Sequence, residues 1–105
     1  MIIMAEYVKV ATMAELPAYS MRKVHVKDGE ILLINSNGRV YATSPYCTHE
    51  YGPLVDGDLQ DDTLMCPLHG AIYNVETGEA NTPPAESNLK VFSVKIENGE
   101  IFVEV

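Results

Sequence analysis

The chain has 105 residues, enough for one domain with a modest core, and its 47% hydrophobic content marks it as globular rather than disordered. Seven Lys and Arg stand against fifteen Asp and Glu, a formal net charge of −8, which argues against nucleic acid and anionic membrane surfaces as partners, because both demand clustered positive charge. No apolar run reaches about 18 residues, so no transmembrane helix is expected, and residues 1–6 lack the basic stretch and apolar core of a signal peptide; a cytoplasmic protein is the expectation.

Short strand-like runs divided by turn signals fill most of the chain. Residues 7–10 form the first, and residues 11–16 suit one helical turn ended by Pro17. Residues 20–27 alternate, with Met21, Lys23, His25 and Lys27 on one face and Arg22, Val24 and Val26 on the other. His25 sits on the polar face and reads as an ordinary surface residue. Asp28-Gly29 suits a two-residue hairpin turn into a buried-looking strand at residues 30–35, and Asn37-Gly38 turns the chain into residues 39–43. Toward the end, residues 89–96 alternate with Phe92, Val94 and Ile96 on one face. Asn98-Gly99 then leads into residues 101–105, with Ile101, Val103 and Val105 on one face. Strands divided by turns every ten or so residues predict an all-β fold, an antiparallel sandwich or small barrel.

The middle differs. Residues 44–89 hold five of the six prolines and four of the seven glycines. We read a single domain over 1–105, with base β-sheets at about 1–43 and 89–105 and a loop-rich subdomain over about 44–88 inserted between them. Charge is segregated in the same way: residues 40–89 contain no Lys or Arg and eight acids, while the rest of the chain balances seven of each. The entire net charge therefore lies in the segment that holds both cysteines. Either it keeps the protein in solution, or it steers a basic partner.

That segment carries the chemistry. Cys47-Thr48-His49 is followed, after 16 residues, by Cys66-Pro67-Leu68-His69. In extended backbone, residues i and i+2 point the same way, so Cys47 and His49 can reach one centre together, and the Cys66/His69 spacing suits a tight turn. Pro67 and Gly70 fit a loop whose N–H groups face inorganic sulfur. Two metals can be argued: one tetrahedral zinc on all four side chains, or a binuclear iron–sulfur cluster with two ligands per iron. C-x-H is an unusual half-site for zinc and the expected one where two His replace two Cys on one iron. If both cysteines are ligands, none remains for a disulfide, which agrees with a reducing compartment.

At these residues the chain resembles the Rieske iron–sulfur family. Supporting matches are Glu15-Leu16-Pro17, Ile31-Leu32-Leu33, Tyr73-Asn74-Val75-Glu76-Thr77-Gly78, and Pro83-Pro84-Ala85, which resembles the family's proline loop over the cluster. The resemblance implies a Rieske-like fold and one [2Fe–2S] cluster per chain, with Cys47 and Cys66 on one iron and His49 and His69 on the other. It further implies a one-electron carrier rather than an enzyme. Such a carrier works between a reductase and a terminal oxygenase or other redox partner with a basic docking surface. An obligate electron-transfer subunit of a dioxygenase or nitrite reductase is the alternative, and a structural zinc module the third.

The resemblance also bears on potential. Rieske centres span about −150 to +300 mV, against about −400 mV for plant-type ferredoxins. Respiratory relatives have a disulfide between the cluster loops, for which Gly52 and Leu68 stand here, and a Ser donor, for which Ala71 stands here. Their Tyr donor to a ligand thiolate is matched by Tyr73. Hydrogen bonds to sulfur favour the reduced cluster and nearby acids disfavour it. The expectation is a potential below the respiratory type, above that of relatives with Phe at Tyr73, and falling with pH once His49 and His69 deprotonate in the oxidised state.

Overall fold

The computed structural model describes residues 6–26, 29–46, 53–67, 70–80 and 88–104. Cys47, His49, His69 and Pro84 lie outside the described residues, as do Gly52, Leu68 and Asp28. The expected Asp28-Gly29 turn does not hold as drawn: Gly29 opens the third strand, paired with Val26, and is not a turn residue.

The described chain is built from ten strands: β1 (Tyr7–Thr12), β2 (Ser20–Val26), β3 (Gly29–Ser36), β4 (Arg39–Thr43), β5 (Asp58–Gln60), β6 (Thr63–Met65), β7 (Ile72–Asn74), β8 (Val91–Phe92), β9 (Val94–Glu97) and β10 (Glu100–Glu104). They form three antiparallel sheets, ordered β1-β10-β9, β2-β3-β4-β8 and β5-β6-β7. Both Asn-Gly turns form as expected: Asn37 and Gly38 have φ of 53° and 91°, Asn98 and Gly99 51° and 76°, the left-handed pair that lets a two-residue turn follow the twist of its strands. The all-β expectation holds.

Strand β3 organises the packing. Ile31 and Leu33 point into one core with Ala11, Leu16, Val24, Ala42, Ile101 and Val103, which joins the first two sheets. Leu32 and Ile34 point the other way, into a core with Leu54, Leu64, Cys66, Ala71, Tyr73, Val75 and Leu89, which joins the second sheet to the third. A strand covered on both faces reads as a continuous apolar run, and all four of these side chains are at most 1% exposed. The β3 residue Asn35 is also buried; its amide donates to the Leu16 carbonyl at 2.7 Å and its oxygen accepts the Gly38 N–H at 2.8 Å, so its polar atoms carry no burial penalty.

Four other local expectations change. The helical turn is a single 3₁₀ turn, Met13–Glu15, because Ala11 and Thr12 continue β1 opposite Ile101 and Glu100. The middle segment is a sheet, not only loops; three-residue strands are too short to show an alternation. Residues 89–96 are not one strand: the chain crosses between sheets at Ser93, so β8 pairs with β4 and β9 with β10. Ile96 lies opposite buried Ile101 but on an edge strand, and it is 43% exposed. His25, with 85% of its side chain exposed, is the surface residue expected.

The two-faced strand makes a prediction. Leu32→Ala and Leu33→Ala leave cavities in different cores, and each should cost about 2–5 kcal/mol. Urea unfolding measures both. The Leu32 variant alone should also loosen the core that contains Cys66.

Candidate metal centre

Three chain excursions leave the second core, and each is closed at its base. The first leaves at Tyr46 and returns at Pro53. These residues form a β-bridge, and the Leu54 N–H donates to the Pro45 carbonyl at 3.0 Å. The second runs from Cys66 to Ala71: the Cys66 N–H donates to the Ala71 carbonyl at 2.7 Å, and the Gly70 N–H returns to the Cys66 carbonyl at 3.2 Å. The third leaves at Ala80, whose N–H donates to Asn88 Oδ1 at 3.0 Å, while the Leu89 N–H donates to the Gly78 carbonyl at 2.7 Å. The expected ligands Cys47 and His49 belong to the first excursion, Cys66 and His69 to the second, and Pro83 and Pro84 to the third.

Of the residues expected at the site, the structure brings Cys66, Ala71 and Tyr73 together in one buried core, with exposures of 2%, 0% and 0%. Leu54, just past the exit of the first loop, shares that core, so the first two loops issue from one apolar base. Gly70 has φ +73°, which lets the second loop turn back within six residues. Among the described residues no buried side-chain nitrogen or oxygen lacks a hydrogen-bond partner. The turn between β5 and β6 is tied down from both sides. The Ser36 hydroxyl donates to the Asp61 carbonyl, and the Val75 N–H donates to the Asp62 carbonyl at 2.8 Å.

A donor set of soft thiolates and borderline imidazoles suits iron–sulfur or zinc chemistry. The observed frame fits a cluster held between two loops: Cys66 sits at the dry root of one tight turn, and the second loop that would share the group starts from the same core.

Sequence reasoning missed one group. Lys23, Glu30 and Tyr46 meet beside the first loop, with Lys23 Nζ 3.3 Å from Glu30 Oε2 and the Tyr46 hydroxyl donating to Glu30 Oε1 at 3.2 Å. The Tyr46 hydroxyl and the Glu30 carboxylate hold the Lys23 ammonium above the usual lysine range. Partial burial pushes the Glu30 carboxyl up, but its hydrogen bonds with Lys23 and Tyr46, and the Lys23 charge, outweigh that and keep it below the ordinary carboxylate range. The signal was in the register: Lys23 and Glu30 share the face of Leu32 and Ile34, which the alternation alone presented as the solvent face.

The glycines of the loop frame differ in a testable way. A Cβ on Gly70 meets nothing within 4 Å, so Gly70→Ala should cost only the left-handed backbone, about 1–2 kcal/mol. Gly78 has φ +79° and packs against the Leu89 carbonyl where a Cβ would sit, so Gly78→Ala should cost about 3 kcal/mol or more. Equilibrium denaturation of the two variants compares them directly.

The profile of the Rieske [2Fe–2S] domain matches residues 6–93. The chain is 31% identical over 100 residues to the ferredoxin component of the naphthalene 1,2-dioxygenase system of Pseudomonas aeruginosa, covering 95% of this chain and 96% of that protein. It is 39% identical over 83 residues to apoptosis-inducing factor 3 of Homo sapiens, covering 79% of this chain but only 14% of that relative's length. Among solved structures, a chain in the complex of reduced oxygenase and oxidized ferredoxin in carbazole 1,9a-dioxygenase superimposes with a TM-score of 0.87 at 30% identity, covering 93% of this chain and 92% of that one.

Proposed function

The chain belongs to the Rieske [2Fe–2S] domain family, and from that premise we propose that it is a cytoplasmic one-electron carrier that takes an electron from a reductase and delivers it to a terminal oxygenase. The observation that carries this reading is the match along nearly the whole of both chains to a ferredoxin component of a dioxygenase system. The chain is then a carrier and not itself a catalyst. It acts as one domain, with the base sheets presenting the inserted segment.

In this reading Cys47 and Cys66 hold one iron and His49 and His69 the other, so each loop serves both irons. When bound, the cluster supplies one reversible electron at a potential raised by its two neutral ligands. The protein's own residues do the rest. The dry core around Cys66 keeps water from the thiolate side, and the loop bases fix the separation of the two ligand pairs. Burial of Tyr73 in the core of Cys66 supports the reading of its hydroxyl as a donor to a ligand thiolate.

Two measurements test this. One net hydrogen bond of about 1 kcal/mol corresponds to about 40 mV for one electron. Tyr73→Phe should lower the midpoint potential by about that amount and Ala71→Ser should raise it, read by protein-film voltammetry; an unchanged Phe variant removes Tyr73 from the account.

The second concerns the partner. If the acids of residues 40–89 steer a basic surface, the rate of electron transfer to the oxygenase should fall steeply between low salt and about 0.15 M, where the Debye length is about 8 Å. A salt-independent rate assigns those acids to solubility alone.

A further inference from the structure

The first loop is tied to the base by more than backbone. Its ends, Tyr46 and Pro53, form a bridge in which the Pro45 carbonyl accepts the Leu54 N–H at 3.0 Å. Side chains add to it. Tyr46, the residue before Cys47, reaches back to the β2–β3 hairpin. Its hydroxyl lies 3.2 Å from Glu30 Oε1 and 3.5 Å from Lys23 Nζ, and the Lys23 ammonium lies 5.6 Å from its ring centroid.

The fold has little need of this contact. The β2–β3 hairpin is paired without a break from Ser20 opposite Asn35 to Val26 opposite Gly29, and β3 is held by apolar cores on both faces. With side-chain exposures of 38% and 25%, the Lys23–Glu30 pair is worth little to stability alone. His25 Nε2, 3.8 Å from Glu30 Oε2, is largely solvated and adds little more. What the three residues do accomplish is to fix one phenol, and with it the backbone that enters the first loop.

We propose that Lys23, Glu30 and Tyr46 form a latch between the base sheet and the first loop, in which Tyr46 is a positioning residue for Cys47 and His49. The inference rests on the reading of those two residues as cluster ligands. Tyr46 touches no reacting atom in this account; it acts through the loop. Loosening the latch gives Cys47 and His49 a wider range of positions, so it alters the potential and the lability of the centre while leaving the two cores intact.

The test uses the iron-loaded protein and four variants: Tyr46→Phe, Lys23→Met, their combination, and Lys23→Arg. Three quantities are read: the rate of iron release to a ferrous chelator, the midpoint potential, and the urea midpoint of unfolding. Tyr46→Phe should release iron about threefold to tenfold faster, the factor that loss of one net hydrogen bond represents, and should shift the potential. Its unfolding midpoint should stay at the wild-type value. The double variant should release iron no faster than Tyr46→Phe, because the residues act as one unit, and Lys23→Arg should keep the wild-type rate.

Wild-type release rate and potential in Tyr46→Phe overturn the latch. So do factors that multiply in the double variant, or faster release that merely tracks a lower unfolding midpoint. A wild-type protein without an iron–sulfur EPR signal overturns the ligand reading, and the latch with it. A wild-type signal together with an unaltered Tyr46→Phe overturns the latch alone.

Discussion

The structure depends on one strand that is dry on both faces. Ile31, Leu32, Leu33 and Ile34 of β3 alternate between two cores, and each core joins β3's sheet to a different partner sheet. The first core makes the base a sandwich. The second makes the base a platform for the inserted β5-β6-β7 sheet, and Cys66, Ala71 and Tyr73 are part of that second core. Fully burying an apolar side chain of this size is worth about 1.5–3 kcal/mol. The inserted segment, with strands of only three residues, borrows its stability from the base through Leu32 and Ile34. The candidate centre is therefore anchored through Cys66 to a core built on the fully buried Leu32 and Ile34 of β3, while the other three proposed ligands lie outside the described residues.

From this platform the chain makes three excursions and closes each by a different device. Backbone hydrogen bonds close the Cys66–Ala71 turn. The Asn88 side chain and the close approach of Gly78 to Leu89 close the segment that carries Pro83 and Pro84. At the first loop a polar side-chain group from β2, β3 and Tyr46 adds to the Tyr46–Pro53 bridge. In the proposed centre, shared by two loops, the distance between loop bases decides whether the four ligands meet.

Much of this was legible in the sequence, for reasons that can be named. The Asn-Gly turns and the apolar run of β3 are local signals, and both survive tertiary context. The strands β5, β6 and β7 were not legible, since three residues carry no period. The break at Ser93 was hidden because alternation continues across it while hydrogen-bond partners change. The face of Lys23 and His25 read as solvent because charged residues usually mark it; His25 is exposed as expected, while Lys23 on the same face meets Tyr46. For the candidate site, the ligand motif and a role for Tyr73 beside a ligand thiolate were readable from spacing and resemblance, and the structure places Tyr73 in the core of Cys66. The latch was not, because it joins residues from three parts of the chain.

The central claim is that Cys47, His49, Cys66 and His69 hold a two-iron cluster with mixed ligation. Iron and acid-labile sulfide analysis of the purified protein, followed by EPR of the dithionite-reduced sample, tests it most directly. The account predicts iron and sulfide in equal amounts, about two of each per chain, and the EPR signature of a [2Fe–2S] centre in which one iron carries two imidazoles. Stoichiometric zinc without sulfide, or the signature of an all-cysteine cluster, would contradict it.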